Sequence, residues 1–327
     1  MTELEKRKSW KALLRSMKES VSLKEAIISK ETEMSKTDPK LKIMLEALYL
    51  DEDRAASFQR YCASHEFRTI SDEVVRHAGG NRNVKICEVG AGPGFLALAL
   101  AKEGFQNVSL LEPNKEWRTG TGFVASIARN YGVRIWNDID AWYGSDDLYD
   151  LVITKACVHH FDNACKAGAE IRCKLEDDGK WLMFDEFFAN SAKDLYSALI
   201  DHAHVVKYGQ YEWPYSAGLY VDLMHLAGYR LHEVLPSRYK NNYMVRSTSA
   251  KIKLSGIVTA VTKLLIALRL TVCFFYIEKF VDRYLGIHSK LRLFTLPQLL
   301  VFGLRKMDYP TVPDLRGSAL TMGNVTP

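Results

Sequence analysis

One short stretch combines residue types that could bind a small charged ligand. In 88-EVGAGPG-94, Glu88 lies two residues before the first of three alternating glycines, Gly90, Gly92 and Gly94. Glycine permits backbone angles that other residues avoid, and it removes the Cβ atoms that would keep a ligand away. An apolar run precedes the loop and a helical pattern follows it, so we expect a tight strand-to-helix turn that cradles a nucleotide-like cofactor.

The residues around this turn favour a cationic cofactor. The dinucleotide fingerprint G-x-G-x-x-G/A needs glycine or alanine at position 95, where Phe95 stands. Pyrophosphate also prefers a site without a nearby anion, whereas the Glu88 carboxylate suits a cationic amino group. S-adenosylmethionine (SAM) carries an ammonium and a sulfonium but no phosphate, and it is the expected cofactor. A dehydrogenase is the main enzymatic alternative, and glycines that serve only a tight turn are another.

Two more acids follow the next two predicted strands. Glu112 ends 108-VSLLE-112, where it could accept two hydrogen bonds from ribose hydroxyls. Asp138 comes after 133-VRIW-136, within reach of an adenine amino group. Solvated acids at strand ends, which dehydrogenases also have, are the alternative interpretation of both.

The candidate catalytic residues follow the fourth and fifth predicted strands. His159 and His160 come soon after one, and Asp185 and Glu186 end the other. A histidine with a pKa of about 6.5 can act as a base, and a neighbouring acid can orient an acceptor. The alternatives to a catalytic role are that the histidines only pack in the protein and that the acids are exposed at the end of a strand. The spacing of the cysteines fits no compact zinc motif, so no metal site is expected.

Strand and helix patterns alternate from Val84 onward, which predicts an α/β fold with a doubly wound, mainly parallel sheet. The predicted strands are Val84–Glu88, Val108–Glu112, Val133–Trp136, Leu151–Thr154, Lys180–Asp185, Arg230–Leu235 and Tyr243–Thr248. A short link joins the last two, so we expect an antiparallel pair at the sheet edge. Residues 1–80 are predicted as an N-terminal helical region, 81–250 as the cofactor-binding domain and 251–327 as a helical extension.

These motifs resemble class I SAM-dependent methyltransferases, in particular the small-molecule group that includes quinone-biosynthesis methyltransferases. The resemblance lies in 86-ICEVGAGPGFLALALA-101, Glu112, Asp138 and 149-YDLVITKACVHHF-161, and it covers about residues 55–250. It implies a seven-stranded Rossmann-like sheet with a reversed last strand. It also implies that Glu88 and the glycines border the methionine part of SAM, that Glu112 binds the ribose, and that Asp138 binds the adenine with Ile139 stacked beside it.

The composition is that of a soluble globular protein, with 47% hydrophobic and 25% charged residues in 327. The net charge of +5 is uneven, because residues 251–327 carry 11 basic and 4 acidic residues and the rest of the chain carries −2. This distribution argues against nucleic acid as a partner and favours a local anionic one. The start, MTELEKRKSW, has no apolar signal region, so a cytoplasmic location is expected.

Residues 254–277 are mostly apolar, with Lys263 and Arg269 on the sparse polar face of a predicted helix. Such a helix could pack on the domain or on another subunit, or it could lie in a membrane interface as a peripheral anchor.

The function predicted from the sequence is SAM-dependent methyl transfer to a hydroxyl, or to an amine, of a small-molecule, glycan or lipid-linked acceptor. The alternative is a methyltransferase-like protein that binds SAM as a scaffold without turnover.

Overall fold

A seven-stranded sheet forms the centre of the protein in the computed structural model, which describes residues 49–161, 163–200, 213–236, 256–285, 294 and 296–305. The strand order is β3-β2-β1-β4-β5-β7-β6. Strands β1 to β5 pair in parallel, and β7 runs antiparallel to both β5 and β6. The predicted α/β fold with a seven-stranded, mainly parallel sheet is therefore confirmed.

The strand bounds agree with the predicted ones to within a few residues for six of the seven strands. They are β1 Lys85–Val89, β2 Asn107–Leu111, β3 Arg134–Trp136, β4 Tyr149–Lys155, β5 Leu175–Phe184, β6 Tyr229–Pro236 and β7 Pro297–Leu304.

Helices cover both faces of the sheet and precede it. They are α1 Arg54–Ala63, α2 His65–His77, α3 Phe95–Lys102, α4 Gly122–Ile127, α5 Ile139–Gly144, α6 Ala164–Arg172, α7 Ala192–Ile200, α8 Ala217–Leu226, α9 Gly256–Ala267 and α10 Thr271–Phe280. Helices α1 and α2 lie in the predicted N-terminal helical region, of which residues 1–48 are outside the described part.

The core consists of two apolar layers, one on each side of the sheet. Successive residues of β1 point to opposite layers, as strand geometry requires: Ile86 packs with the aromatic residues of α1 to α4, and Cys87 packs with those of α5 and α8. Because both faces are covered, the strands read as continuous apolar runs in the sequence.

The seventh strand comes from an unexpected part of the chain. The strand predicted at Tyr243–Thr248 lies outside the described residues, and the partner of β6 is β7, Pro297–Leu304. This strand belongs to the segment 251–327, which was predicted as a helical extension. Since β7 lies between β5 and β6 in the sheet, the segment contributes to the core of the domain.

The predicted single helix over 254–277 is wrong in one respect, because it is two helices. Arg269 adopts a left-handed backbone angle, φ 56°, which ends α9, and α10 begins at Thr271. A left-handed residue cannot continue a right-handed helix, so the chain changes direction there. Within the described residues, no helix is long and apolar enough to span a bilayer.

The role of β7 in the core predicts a large effect of Phe302→Ala. The Phe302 ring is fully buried between Trp181 and Tyr229. Its removal should lower the free energy of unfolding by about 3–5 kcal/mol, because a cavity remains. Leu226→Ala, at an exposed site on α8, should change it by less than about 0.5 kcal/mol. Urea unfolding of both variants measures the difference, and equal, small losses would mean that β7 is not part of the folded core.

Candidate active site

The glycine loop follows β1 and leads into α3. Gly90, Gly92 and Gly94 all have left-handed backbone angles, with φ of 69°, 52° and 68°. The loop is tied to the end of β2, because the N–H of Gly90 donates to the Leu111 carbonyl at 2.9 Å. These angles explain why glycine stands at each of the three positions.

The three glycines differ in the space around them. A Cβ at Gly90 would lie 2.7 Å from the Cys157 sulfur, and one at Gly94 would lie 2.9 Å from a Leu110 methyl carbon. At Gly92 the nearest atom would be the Thr119 carbonyl oxygen, at an ordinary 3.8 Å. Gly90 and Gly94 therefore permit close packing inside the protein, whereas the backbone at Gly92 adjoins open space.

Glu88 lies at the end of β1 with its side chain buried. One carboxyl oxygen accepts a hydrogen bond from the Ala97 N–H on α3, at 2.9 Å. Burial raises the pKa of Glu88 to about 8, although the Ala97 hydrogen bond and the charge of Lys155 act in the opposite direction. The carboxyl is therefore mostly protonated near neutral pH, and a cation placed against it would favour its charged form.

Glu112 joins the ends of two strands. Its carboxylate accepts from the Gly92 N–H at 2.8 Å and from the Asn114 N–H at 2.9 Å. A carboxylate offers about four acceptor positions, so further donors can be accommodated. The structure thus brings Glu112 to the glycine loop.

Asp138 and Ile139 lie beside this site at the start of α5. Asp138 is exposed and caps the helix by accepting from the N–H groups of Asp140 and Ala141. Ile139 is half exposed, which is uncommon for an isoleucine without a partner. The preceding Asn137 donates to the Glu112 carbonyl at 2.7 Å, which fixes this turn next to Glu112.

His159 and Glu186 form a buried pair. Nδ1 of His159 contacts a Glu186 carboxyl oxygen, and both residues are about 6% exposed. Glu186 also accepts from the backbone N–H groups of Val158 and Phe187, each at 2.9 Å. Burial alone would raise the pKa of Glu186, but the charge and hydrogen bond of His159, together with these N–H groups, hold it below its usual value.

His160 packs against this pair with its ring tilted. The centroids of the His159 and His160 rings are 4.1 Å apart, and Phe187 meets the His159 ring edge to face. The three predicted catalytic residues therefore form one cluster. This cluster adjoins the glycine loop, because Cys157 contacts both the backbone at Gly90 and, through its thiol, the Val89 carbonyl.

Two strained residues create this arrangement. Ala156 and Asp185, the residues directly after β4 and β5, both have φ of 48°. Left-handed angles in residues other than glycine cost about 1–2 kcal/mol each. They turn the chain at the carboxyl edge of the sheet, so that His159 and Glu186 meet.

Arg54 and Arg118 lie beside the loop, and no motif in the sequence marks either of them. Arg54 is buried with its guanidinium 4.5 Å above the ring of Phe95, and its Nε and one Nη have no hydrogen-bond partner. Burial lowers the pKa of Arg54 to about 10; Asp51 opposes this shift and the nearby Arg118 adds to it. No periodicity or spacing marks a buried arginine, because its burial depends on what packs over it.

The family model of a methyltransferase domain matches residues 62–234, more than half of the chain. The chain belongs to this methyltransferase family. It is an α/β, class I SAM-dependent methyltransferase, as the motifs predicted, and SAM is its cofactor.

Solved structures similar to this methyltransferase include the YcgJ protein of Bacillus subtilis, with 17% identity and a TM-score of 0.44 over 75% of this chain and 100% of that one. Magnesium protoporphyrin IX methyltransferase of Synechocystis, with bound S-adenosylhomocysteine (SAH), shows 15% identity and a TM-score of 0.40 over 54% of this chain and 77% of that one. An O-methyltransferase from a polyketide synthase of Brevibacillus brevis, also with SAH, shows 15% identity and a TM-score of 0.39 over 70% of this chain and 68% of that one. No curated protein matches the sequence.

One group of possible metal ligands occurs among the described residues of the methyltransferase, formed by Glu73, His77 and Glu233. Arg76 donates to both carboxylates, at 2.6 Å and 2.5 Å. The guanidinium already pairs with both acids, so the group is an ion-pair cluster.

The raised pKa of Glu88 makes the stability of the cofactor-free methyltransferase depend on pH. Between its ordinary pKa of about 4.5 and about 8, the folded state holds a proton that the unfolded state releases. Stability relative to the neutral variant Glu88→Gln should therefore fall as pH rises from 5 to 8, by at most about 1.4 kcal/mol per pH unit. Urea unfolding at several pH values measures this difference. If the difference in unfolding free energy between the two proteins stays constant with pH, the pKa of Glu88 is not raised in the folded state.

Proposed function

We propose that this enzyme transfers the methyl group of SAM to a hydroxyl of a small-molecule, glycan or lipid-linked acceptor, with His159 as the base. An amine acceptor is the nearest variant. The observation that carries this proposal is the buried His159–Glu186 pair at the carboxyl edge of the sheet, next to the glycine loop. Methyl transfer from a sulfonium needs alignment and exclusion of water, and a hydroxyl acceptor also needs proton removal.

The cofactor would lie along the loop, with its methionine part at Glu88 and the three glycines. The ammonium would favour the charged form of the Glu88 carboxyl, so binding should release a proton where this group is protonated. The methionine part of SAM carries a carboxylate as well as the ammonium, and this carboxylate needs a cationic partner. The buried guanidinium of Arg54, with unpaired nitrogen atoms, suits that role.

The nucleoside part would lie across the ends of β2 and β3. Glu112, fixed by the Gly92 and Asn114 N–H groups, can accept from the ribose hydroxyls. Asp138 can accept from the adenine amino group, and the half-exposed Ile139 offers an apolar surface for stacking. The open space at Gly92 leaves room for the cofactor between these groups.

The proton would leave the acceptor through the imidazole of His159. When Nδ1 donates to Glu186, the neutral ring carries its lone pair on Nε2, which is the tautomer that a base requires. Glu186 is held in its charged form, so it stabilises the imidazolium that proton transfer creates. His160, packed at a tilt against the same ring, would restrict the orientation of the imidazole.

A lipid-linked acceptor and peripheral membrane association through 254–277 belong to this proposal because the described part of that segment exposes many apolar side chains. Oligomerisation through the same side chains is the competing possibility.

Gly92→Val tests the placement of the cofactor. The Cβ has room, so the fold should survive with about 1–2 kcal/mol of backbone strain, but the side chain would occupy the space assigned to SAM. Binding of SAH, measured by calorimetry, should be lost. Gly132→Val is the matched control, since Gly132 has φ of 68° and open space outside the loop. Wild-type affinity in Gly92→Val would contradict the placement.

The base is tested with His159→Asn and Glu186→Gln on an acceptor found by screening hydroxylated compounds with methyl-labelled SAM. Both variants should bind SAH normally, and kcat of His159→Asn should fall by about 10²–10⁴-fold. The kcat of the wild type should rise with pH as the base loses its proton, and this rise should be absent in His159→Asn. His225→Asn, on α8, is the control and should keep wild-type kcat. An unchanged kcat in His159→Asn would exclude it as the base, and SAH binding without transfer to any acceptor would favour a scaffold.

A further inference from the structure

Exposed apolar side chains are concentrated in one part of this protein. Of the 14 large hydrophobic side chains that are exposed in the described residues, nine lie between Val261 and Tyr284. Scattered exposed apolar residues are ordinary, whereas a contiguous group marks a surface that binds something.

The group forms a surface along one side of α10 and its continuation. Phe274, Ile277, Phe280 and Tyr284 are exposed and recur at intervals of three or four residues, which places them on one face of a helix. The rings of Phe280 and Tyr284 contact each other, with centroids 4.9 Å apart. Leu264 and Leu268 are two further exposed apolar side chains, on the preceding helix α9. We call these six residues the tail surface.

The opposite side of α10 holds the helix on the domain. Phe275 and Thr271 are buried, and Lys279 forms an ion pair of 2.6 Å with Asp222 on α8. The tail surface is therefore presented in a fixed orientation, so binding to it need not pay for ordering the helix.

The fully exposed charged side chains that the structure describes near the tail surface are cations. Lys263, Arg269 and Arg283 are exposed, and they are the only exposed charged side chains described between residues 260 and 285. Glu278 is turned inward, where it accepts from the Phe294 N–H at 2.6 Å. An apolar face bordered by cations is complementary to a bilayer with anionic lipids, since its hydrocarbon takes up the side chains and its headgroups attract the cations.

A second copy of the chain suits this surface less well. A two-fold interface places the same patch against itself, so it brings together two sets of exposed cations, and between residues 260 and 285 no described acid is exposed to offset them. We propose that the tail surface docks this enzyme on the face of an anionic membrane, with α10 lying in the interface. This docking deepens the membrane association included in the proposed function by naming its residues and its lipid partner, and its test does not depend on the identity of the acceptor or of the base.

Co-sedimentation of the full chain with vesicles tests the proposal. The wild type should bind vesicles of phosphatidylcholine with phosphatidylglycerol more strongly than vesicles of phosphatidylcholine alone, and salt should weaken the difference. Ile277→Ser with Phe280→Ser should reduce binding about tenfold or more, as less apolar surface enters the bilayer. Lys263→Glu with Arg283→Glu should reduce binding to the anionic vesicles by a similar factor.

Tyr143→Ser is the control, because Tyr143 is also exposed but lies on α5, which follows β3 at the opposite edge of the sheet from β6. It should bind vesicles as the wild type does. All variants should unfold at the wild-type temperature and bind SAH with wild-type affinity, which separates this test from that of the methyltransferase site. Equal binding to both vesicle types, or none, would overturn the proposal. The proposal would also be overturned if the protein forms a dimer in solution and the Ile277→Ser, Phe280→Ser variant does not.

Discussion

The candidate site depends on the contact between the backbone of Gly90 and the side chain of Cys157. A Cβ at position 90 would overlap the Cys157 sulfur, so the two loops can approach this closely only because residue 90 is glycine. One loop follows β1 and holds the proposed cofactor groups, and the other follows β4 and leads to His159. Their contact joins two clusters that the chain separates by about seventy residues.

The second cluster is maintained at a cost in backbone strain. Ala156 and Asp185 both adopt left-handed angles, and both stand where a strand ends and a proposed catalytic loop begins. Strain of this kind persists where the surrounding structure enforces it and is frequent at functional sites. Here the pairing of His159 with Glu186, and the backbone N–H groups that Glu186 accepts, offset part of that cost.

Local patterns predicted the sheet except for β7. Its residues, 297-PQLLVFGL-304, form a continuous apolar run that is compatible with a buried strand or a buried helix. The segment forms a strand because β5 and β6 both pair with it in antiparallel orientation. The tail helix was predicted from its apolar periodicity, but nothing in that periodicity marks the break at Arg269, an ordinary helix former in an abnormal conformation.

The glycine loop, the acids at the strand ends and the family follow from the order of residues alone, because backbone freedom and strand-end position are local properties of the chain. Three features arise only when the chain folds: His159 pairs with Glu186, Arg54 is buried beside the loop, and the tail completes the sheet while exposing apolar side chains. Each of these depends on residues distant in sequence coming within a few ångströms, and burial and pairing are properties of that neighbourhood. The raised pKa of Glu88 has the same origin, since an identical carboxyl in water would titrate normally.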